Sequence, residues 1–374
     1  MRIGFDAKRA FYNNSGLGNY SRDTILSLYK YYPEHDYFLY TPNKKNPLPF
    51  LPADKSNLHV IKPSGFSRIS QSYWRSISLG KQLTRDKLDI YHGLSNELPA
   101  NIIQAEIKKV VSIHDLIFLR YPELYNSVDR DIYQQKFFEA SLAADKIIAM
   151  SHQTKEDLMS FFHTREEDIE VIHQGCNPMF YDKVPDSKKA EVIKKHKIPE
   201  QYILSVGTLE KRKNALKILE GITTHKIDYP LVFVGKSTPY FKELHHYIKK
   251  HHMENMVYFL HNIPSHDLPA IYQSARLFIY PSIFEGFGIP ILEAMNSGIP
   301  VITNKFGCFI EAGGDAAIYI NPNYPEEIGK AVVEVLNDEK KSREMIEKGY
   351  KHVEKFRQDK ITVQLMNLYK SLIQ

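Results

Sequence analysis

The sequence predicts an α/β protein of two doubly wound, parallel, Rossmann-like sheets. Two observations predict it: short apolar runs rich in β-branched and aromatic residues alternate with helical patterns, and 374 residues exceed one ordinary domain. Near-continuous rather than alternating apolar runs mark strands buried on both faces, the habit of parallel sheets.

In the first half the runs are RIGFDA at 2–7, YFLYTP at 37–42, LHVIKP at 58–63, LDIYHG at 88–93, KVVSIHD at 109–115, DKIIAMS at 145–151 and IEVIHQG at 169–175. Helices are expected between them near 17–32, 71–86, 129–143 and 153–162. The polar, lysine-rich stretch from Asp182 to Lys197, closed by Pro199, reads as the domain linker, which sets a first domain over 1–182 and a second over 183–356. The second sheet takes YILSVG at 202–207, LVFVG at 231–235, VYFLHN at 257–262, RLFIYP at 276–281, PVITN at 300–304 and AAIYINP at 316–322. Amphipathic helices near 325–337, 340–355 and 359–373 close the chain. Ligands of such sheets bind beyond the carboxyl ends of the strands, so a cleft between the two domains is the expected site.

Composition narrows the function. At 43% hydrophobic and 25% charged the chain is an ordinary globular one, with no apolar run near the roughly 18 residues a spanning helix needs. MRIGFDAKRA lacks the basic-then-apolar layout of a signal peptide, so a cytoplasmic protein is expected. Cys176 and Cys308 lie far apart without metal-ligand spacing and read as reduced thiols. The paired histidines His245-His246 and His251-His252 have no partnered acid pattern and are expected at the surface, without a metal. A net charge of +5 fits an anionic substrate, a phosphate-rich membrane surface or nucleic acid but is too small for this length to decide among them, and no nucleic-acid motif accompanies it.

Four segments carry chemistry. In Tyr280-Pro-Ser-Ile-Phe-Glu285-Gly286-Phe287-Gly288-Ile289-Pro290, running on to Glu293 and Gly298, a strand ends, a glycine turn follows and Pro290 sits in a first helical turn. The amides of Gly286, Phe287, Gly288 and Ile289 would suit a diphosphate, and the carboxylates of Glu285 and Glu293 would suit sugar and ribose hydroxyls. Gly207-Thr208-Leu-Glu-Lys211-Arg212-Lys213-Asn214 places three consecutive cations after another strand, a costly cluster unless an anion compensates or water screens it. Asn14-Ser15-Gly16-Leu17-Gly18-Asn19-Tyr20 follows the opening strand but lacks the spacing and the acid of a dinucleotide fingerprint. His114-Asp115 ends the strand KVVSIHD, where a neutral imidazole would reach a sugar hydroxyl. Each segment alone also fits a plain turn, a solvated loop or a structural histidine; two anion sites at corresponding sheet edges favour the ligand reading.

Together these residues resemble the retaining glycosyltransferases of family 4. Glu285-Gly-Phe-Gly with Glu293 is similar to that family's E-x(7)-E motif, and the segment through Arg212 and Lys213 resembles its arginine-lysine motif. Ser15-Gly-Leu-Gly-Asn-Tyr, His114-Asp115-Leu, Ser151 and Gly313-Gly-Asp-Ala-Ala follow in the family's order. The resemblance implies a GT-B fold whose last helix, 357–374, crosses back to the first domain. It also implies a nucleoside-diphosphate sugar donor held mostly by the second domain, retention of configuration, and no metal or other cofactor. Arg212 and Lys213 would hold the diphosphate, with Gly207, Thr208 and the amides from Gly286 to Ile289 assisting. Glu285 would face the donor sugar, Glu293 the ribose and His114 the sugar's 6-hydroxyl or the reacting region, while Gly16 and Gly18 would close over the donor. Thr208 stands where many relatives have arginine, so the positive charge must come from Lys211 to Lys213.

The implied reaction is transfer of a hexose, with a lean toward mannose from GDP-mannose, onto a glycan or lipid-linked acceptor in cell-surface polysaccharide synthesis. A GT-B epimerase, a phosphorylase-like enzyme or a non-catalytic nucleotide-sugar-binding protein would use the same cleft. Peripheral contact with the inner membrane face is a weaker expectation, carried by the basic and aromatic stretch Arg68, Tyr73, Trp74, Arg75, Ile77, Leu79, Lys81 and Arg85, which for want of a large apolar face fits packing on the first sheet better.

Overall fold

The structure, a computed structural model, describes residues 1–43, 45–54, 56–63, 74 and 79–374. The chain divides into two units, Met1–Gln174 with Gln358–Gln374, and Gly175–Arg357.

In the first unit β1 (Arg2–Asp6), β2 (Asp36–Tyr40), β3 (Leu58–Ile61), β4 (Ile90–Gly93), β5 (Lys108–Ile113), β6 (Lys146–Ala149) and β7 (Ile169–Val171) form one sheet of order β3-β2-β1-β4-β5-β6-β7. Every pairing is parallel, with Ile3 beside Tyr37 on one side and Ile90 on the other. The chain runs outward from β1 to β3, then crosses to β4, so the sheet reverses its winding between β1 and β4. Residues on both faces of the central strands are sealed from water, Ile3, Phe5, Ile90, Val110 and Val111 among them, which is why the sequence reads as runs and not as alternation. Helices Gly16–Tyr31 and Gln358–Ile373, the first and last long helices of the unit, pack on each other.

The second unit repeats the plan with β8 (Ile203–Val206), β9 (Leu231–Val234), β10 (Val257–Leu260), β11 (Leu277–Tyr280), β12 (Val301–Asn304) and β13 (Ala317–Ile320), in the order β10-β9-β8-β11-β12-β13. All its pairings are parallel too. Leu219, Phe233, Ile279, Ile302 and Val332 centre its core, and its winding reverses between β8 and β11.

Two sequence expectations need correction. The lysine-rich stretch read as a linker is for the most part a helix, Asp186–His196, that buries Val192 and docks by Lys195 and His196, whose nitrogens lie 2.7 and 2.8 Å from Asp267 Oδ2. A helix with one narrow apolar contact looks like solvated chain when read by composition. The passage between units also comes before residue 182. The Cys176 amide donates to Phe356 O at 3.1 Å, Tyr181 OH donates to Cys176 O at 2.6 Å, and the Phe180 ring lies 5.4 Å from Tyr272, so the chain docks on the second unit within a few residues of leaving β7.

Arg68, Tyr73, Arg75 and Ile77 of the basic stretch lie outside the described residues, as does most of the first part of the helix expected over 71–86, of which Leu79–Arg85 is seen. Trp74 and Leu79 are buried with Phe38, Tyr40, Leu83 and Leu88 in the core of the first unit. Among the described residues no helix is long and apolar enough to cross a membrane.

Candidate functional site

Where a doubly wound sheet reverses, the loops leaving its two central strands part in opposite directions and open a crevice at the carboxyl edge. In the second unit those are the loops after β8 and β11, the two segments rich in charge and glycine. Gly207 leaves β8 with φ 153°, and a Cβ on Gly235, at the end of β9, would stand 1.8 Å from Gly207 O. The chain leaving β8 and the chain leaving β9 therefore pass each other at glycine-only distance. Lys211–Lys213 form one 3-10 turn, closed by Asn214 in the left-handed region at φ 64°, and Asn214 Nδ2 donates to Pro322 O at 2.5 Å.

That turn sorts the three cations. Lys211 points to water, its side chain 73% exposed. Arg212 and Lys213 point inward, and both reach Glu285 Oε1, from Nη1 at 2.7 Å and from Nζ at 2.5 Å. Ser282 Oγ donates to the same oxygen at 2.6 Å, Lys213 also donates to Tyr280 OH at 2.7 Å, and Arg212 Nη2 lies 2.7 Å from Glu210. The backbone is stitched across the same gap: Ile283 N donates to Arg212 O at 2.9 Å, Arg212 Nη1 donates to Phe284 O, and Asn304 from the end of β12 holds Ser282 O at 2.9 Å.

Electrostatics follow from this packing. Burial would raise the Glu285 carboxyl, but the charges of Arg212 and Lys213 outweigh it and push the group down to about 2, so it is ionised. Burial acts against the Arg212 guanidinium too, and Glu285 with Glu210 more than offset it, leaving the group above its ordinary value. On Lys213 burial pulls the ammonium down while Glu285 opposes. The anion that makes the cation cluster tolerable is thus the protein's own pair of carboxylates, which an incoming diphosphate would have to displace.

Beyond Glu285 the chain makes the glycine turn and enters helix Ile289–Asn296. Gly288 takes φ 117° and, as a residue without a side chain, leaves the first helical turn uncapped by any side-chain hydrogen bond. The Phe287 ring anchors the loop, buried 5.3 Å from Phe356. Glu293, in the second turn, accepts from Tyr272 OH at 2.8 Å. Cys308 sits behind the loop with Sγ 3.2 Å from Glu285 O.

The first unit carries a separate set. His114 follows β5; its amide donates to Asn96 Oδ1 at 2.7 Å, its Nε2 lies 3.0 Å from Leu94 O and its Nδ1 lies 2.9 Å from Gln174 Nε2. Burial pushes the imidazole down to about 4, so the ring is neutral, with Nε2 the donor and Nδ1 the acceptor. Both ring nitrogens are therefore engaged, and a sugar hydroxyl would have to displace the Gln174 amide. Gly16 and Gly18 begin helix Gly16–Tyr31 and differ in kind. A Cβ on Gly18 would stand 1.9 Å from Asn13 O, a packing need, whereas a Cβ on Gly16 would meet nothing within 4 Å.

Arg212, Lys213 and Glu285 are thus brought together, and Glu293 lies one helical step beyond. Sequence reading missed Glu210, Tyr280 and Ser282 as partners although all three stand inside the quoted motifs. Asn96 and Gln174, the partners of His114, carried no signal in the sequence.

Comparison with known proteins points one way. Residues 15–180 match the family model described as Glycosyltransferase Family 4, and residues 187–352 match that of Glycosyl transferases group 1. O-antigen chain mannosyltransferase B of Escherichia coli is 30% identical over 295 residues, 77% of this chain and 76% of that protein. O-antigen chain mannosyltransferase RfbU of Salmonella typhimurium is 29% identical over 216 residues, 58% of this chain and 57% of that protein. Among solved structures, sucrose-phosphate synthase from Thermosynechococcus elongatus superposes with a TM-score of 0.80 at 18% identity over 100% of this chain and 99% of the other. HepE of Anabaena, solved with UDP and glucose, gives 0.75 at 18% identity over 99% and 100%. At such identities these two show the fold, GT-B, and nothing finer.

Proposed function

The chain belongs to glycosyltransferase family 4, and we propose that it transfers a mannosyl residue from GDP-mannose, with retention, to a glycan or lipid-linked oligosaccharide during synthesis of a cell-surface polysaccharide. The observation that carries the reading is the convergence of Arg212 and Lys213 on Glu285 at the reversal point of the second sheet. The mannosyltransferases among its relatives support the choice of sugar.

Breaking a sugar–diphosphate bond builds negative charge on the departing oxygen and positive charge on the sugar ring. Fixed cations answer the first and a fixed carboxylate the second, most strongly where water is thinned out. Arg212, a planar fork, and Lys213, a point charge, would exchange Glu285 for phosphate oxygens, helped by amides of the turn ending at Gly288. Glu285, released from at least one cation and still ionised, would then face the sugar as its electrostatic counterpart. The acceptor hydroxyl attacks on the face the diphosphate leaves, and a phosphate oxygen takes its proton, so no metal ion is required in this scheme. Glu293 would bind the ribose, exchanging its bond from Tyr272. From the first unit, Gly16, with open space where a side chain would be, Gly18 and His114 would contact the donor.

The test is a panel of nucleoside diphosphates and their sugars, read first by melting temperature and then by transfer to lipid-linked acceptors with and without EDTA. Selective stabilisation by GDP and GDP-mannose, with EDTA-resistant mannosyl transfer, is the expected result. A preference for uridine ligands would move the donor assignment, and binding without transfer would leave only a nucleotide-sugar-binding protein.

A further inference from the structure

The first unit buries a line of hydroxyl and imidazole groups for which the proposed reaction has no direct use. Tyr369, on the last helix, has its hydroxyl 2.6 Å from His92 Nδ1; His92 Nε2 lies 2.8 Å from Ser112 Oγ; and Ser112 Oγ lies 2.8 Å from Tyr20 OH. His92, Ser112 and Tyr369 are each 0% exposed, and the bond between His92 and Tyr369 spans 277 residues of sequence. Buried polar groups cost stability unless paired, and apolar side chains would fill the same space at less risk. Burial keeps His92 neutral, pushing it down to about 3, so one ring nitrogen donates and the other accepts.

The line ends at the residues assigned to substrate. Tyr20 follows Gly16 by one helical turn, and its ring stands edge-on to that of His114, centroids 4.7 Å apart at 89°. Ser112 precedes His114 by two residues where β5 ends. A Cβ on Gly16 would meet nothing within 4 Å, and the start of that turn is held locally by Asn13 Oδ1, which accepts from Ser15 N at 2.7 Å.

We infer that Tyr20, Ser112, His92 and Tyr369 are positioning residues, a relay buried up to the half-buried Tyr20, through which the last helix fixes the Gly16–Gly18 turn and the His114 ring for substrate. The inference rests on the reading that this turn and His114 contact the nucleotide sugar. It also gives the return of the chain to its first unit a working purpose beyond packing.

Three variants test it: Ser112→Ala, Tyr369→Phe and, as control, Tyr37→Phe. Tyr37 is equally buried, and its hydroxyl donates to Leu28 O at 3.0 Å and Tyr32 O at 2.8 Å, at the far end of the same helix Gly16–Tyr31. The relay predicts that Ser112→Ala and Tyr369→Phe raise KM for GDP-mannose by about tenfold with kcat within about threefold, while Tyr37→Phe lowers Tm alone. It predicts also that amide hydrogen exchange over residues 15–20 quickens by about tenfold in Tyr369→Phe and stays at the wild-type rate in Tyr37→Phe. Wild-type KM and exchange in both relay variants, or equal changes in the control, would overturn the inference. Should the wild-type protein turn over no GDP-mannose, the functional reading fails separately, and exchange over residues 15–20 still decides the relay.

Discussion

Lys213 and Glu285, 72 residues apart in sequence, meet at 2.5 Å across the reversal point of the second sheet. The pair couples the loop after β8 to the loop after β11, so a ligand that separates the two charges alters both loops at once.

Lys213→Ala removes one of two inward cations and is expected to lower turnover at saturating donor by at least ~100-fold, the scale of losing an important oxyanion donor. Lys211→Ala, whose side chain is 73% exposed, should stay within about twofold of wild type. Steady-state kinetics on the two variants checks both halves of the claim.

Glu285→Gln keeps the shape but removes the charge that competes with phosphate for Arg212 and Lys213. GDP should bind at least as tightly as to wild type by titration calorimetry, while turnover falls by ~100-fold or more because the sugar ring loses its counter-charge. Weaker GDP binding together with unchanged turnover would show that the carboxylate serves only the fold.

Acid should weaken the protein in two windows. His92 and His114 are held down to about 3 and about 4 by burial, below the ordinary 6.5, so the unfolded chain takes up protons first and stability is lost as pH falls from 6.5 toward 4. Together these two groups contribute up to ~2.7 kcal/mol per pH unit to the slope, beside the smaller share of His35 and His352, which burial also lowers, and His114→Gln should remove about half of that contribution. Glu285 adds a second window: its carboxyl lies at about 2 against an ordinary 4.5, so its share is intact above 4.5 and lost as pH falls toward 2. Urea midpoints across pH, for wild type and for His114→Gln, read the first window directly.

The two glycines of the first loop should separate function from fold. Gly16→Ala has room for its methyl group and is expected to leave Tm unchanged or slightly raised while increasing KM for GDP-mannose by about tenfold. Gly18→Ala drives a methyl onto Asn13 O and should lower Tm by several degrees. Thermal melts with donor kinetics distinguish the two.

The strands were legible because parallel sheets bury both faces and so leave unbroken apolar runs such as LFIY before Pro281 and VITN before Lys305. The charged loops were legible because glycine and consecutive cations at strand ends are unusual without a ligand. What stayed hidden depends on how the chain crosses over. That Arg212 and Lys213 meet Glu285 and not water follows from β8 and β11 being neighbours, which no local spacing records. The engagement of His114 by Leu94 O and Gln174 is equally non-local, and it turns an apparently available imidazole into an occupied one. The helix Asp186–His196 was read as a linker because its buried contribution is Val192 and its anchor, Asp267, lies far along the sequence.

The most direct test of the central claim is a crystal structure of the protein with GDP bound, with UDP as comparison. The account predicts β-phosphate oxygens within hydrogen-bond distance of Lys213 Nζ and the Arg212 guanidinium, with Glu285 released from at least one of them. A nucleotide seated elsewhere, with both cations still closed on Glu285, would contradict it.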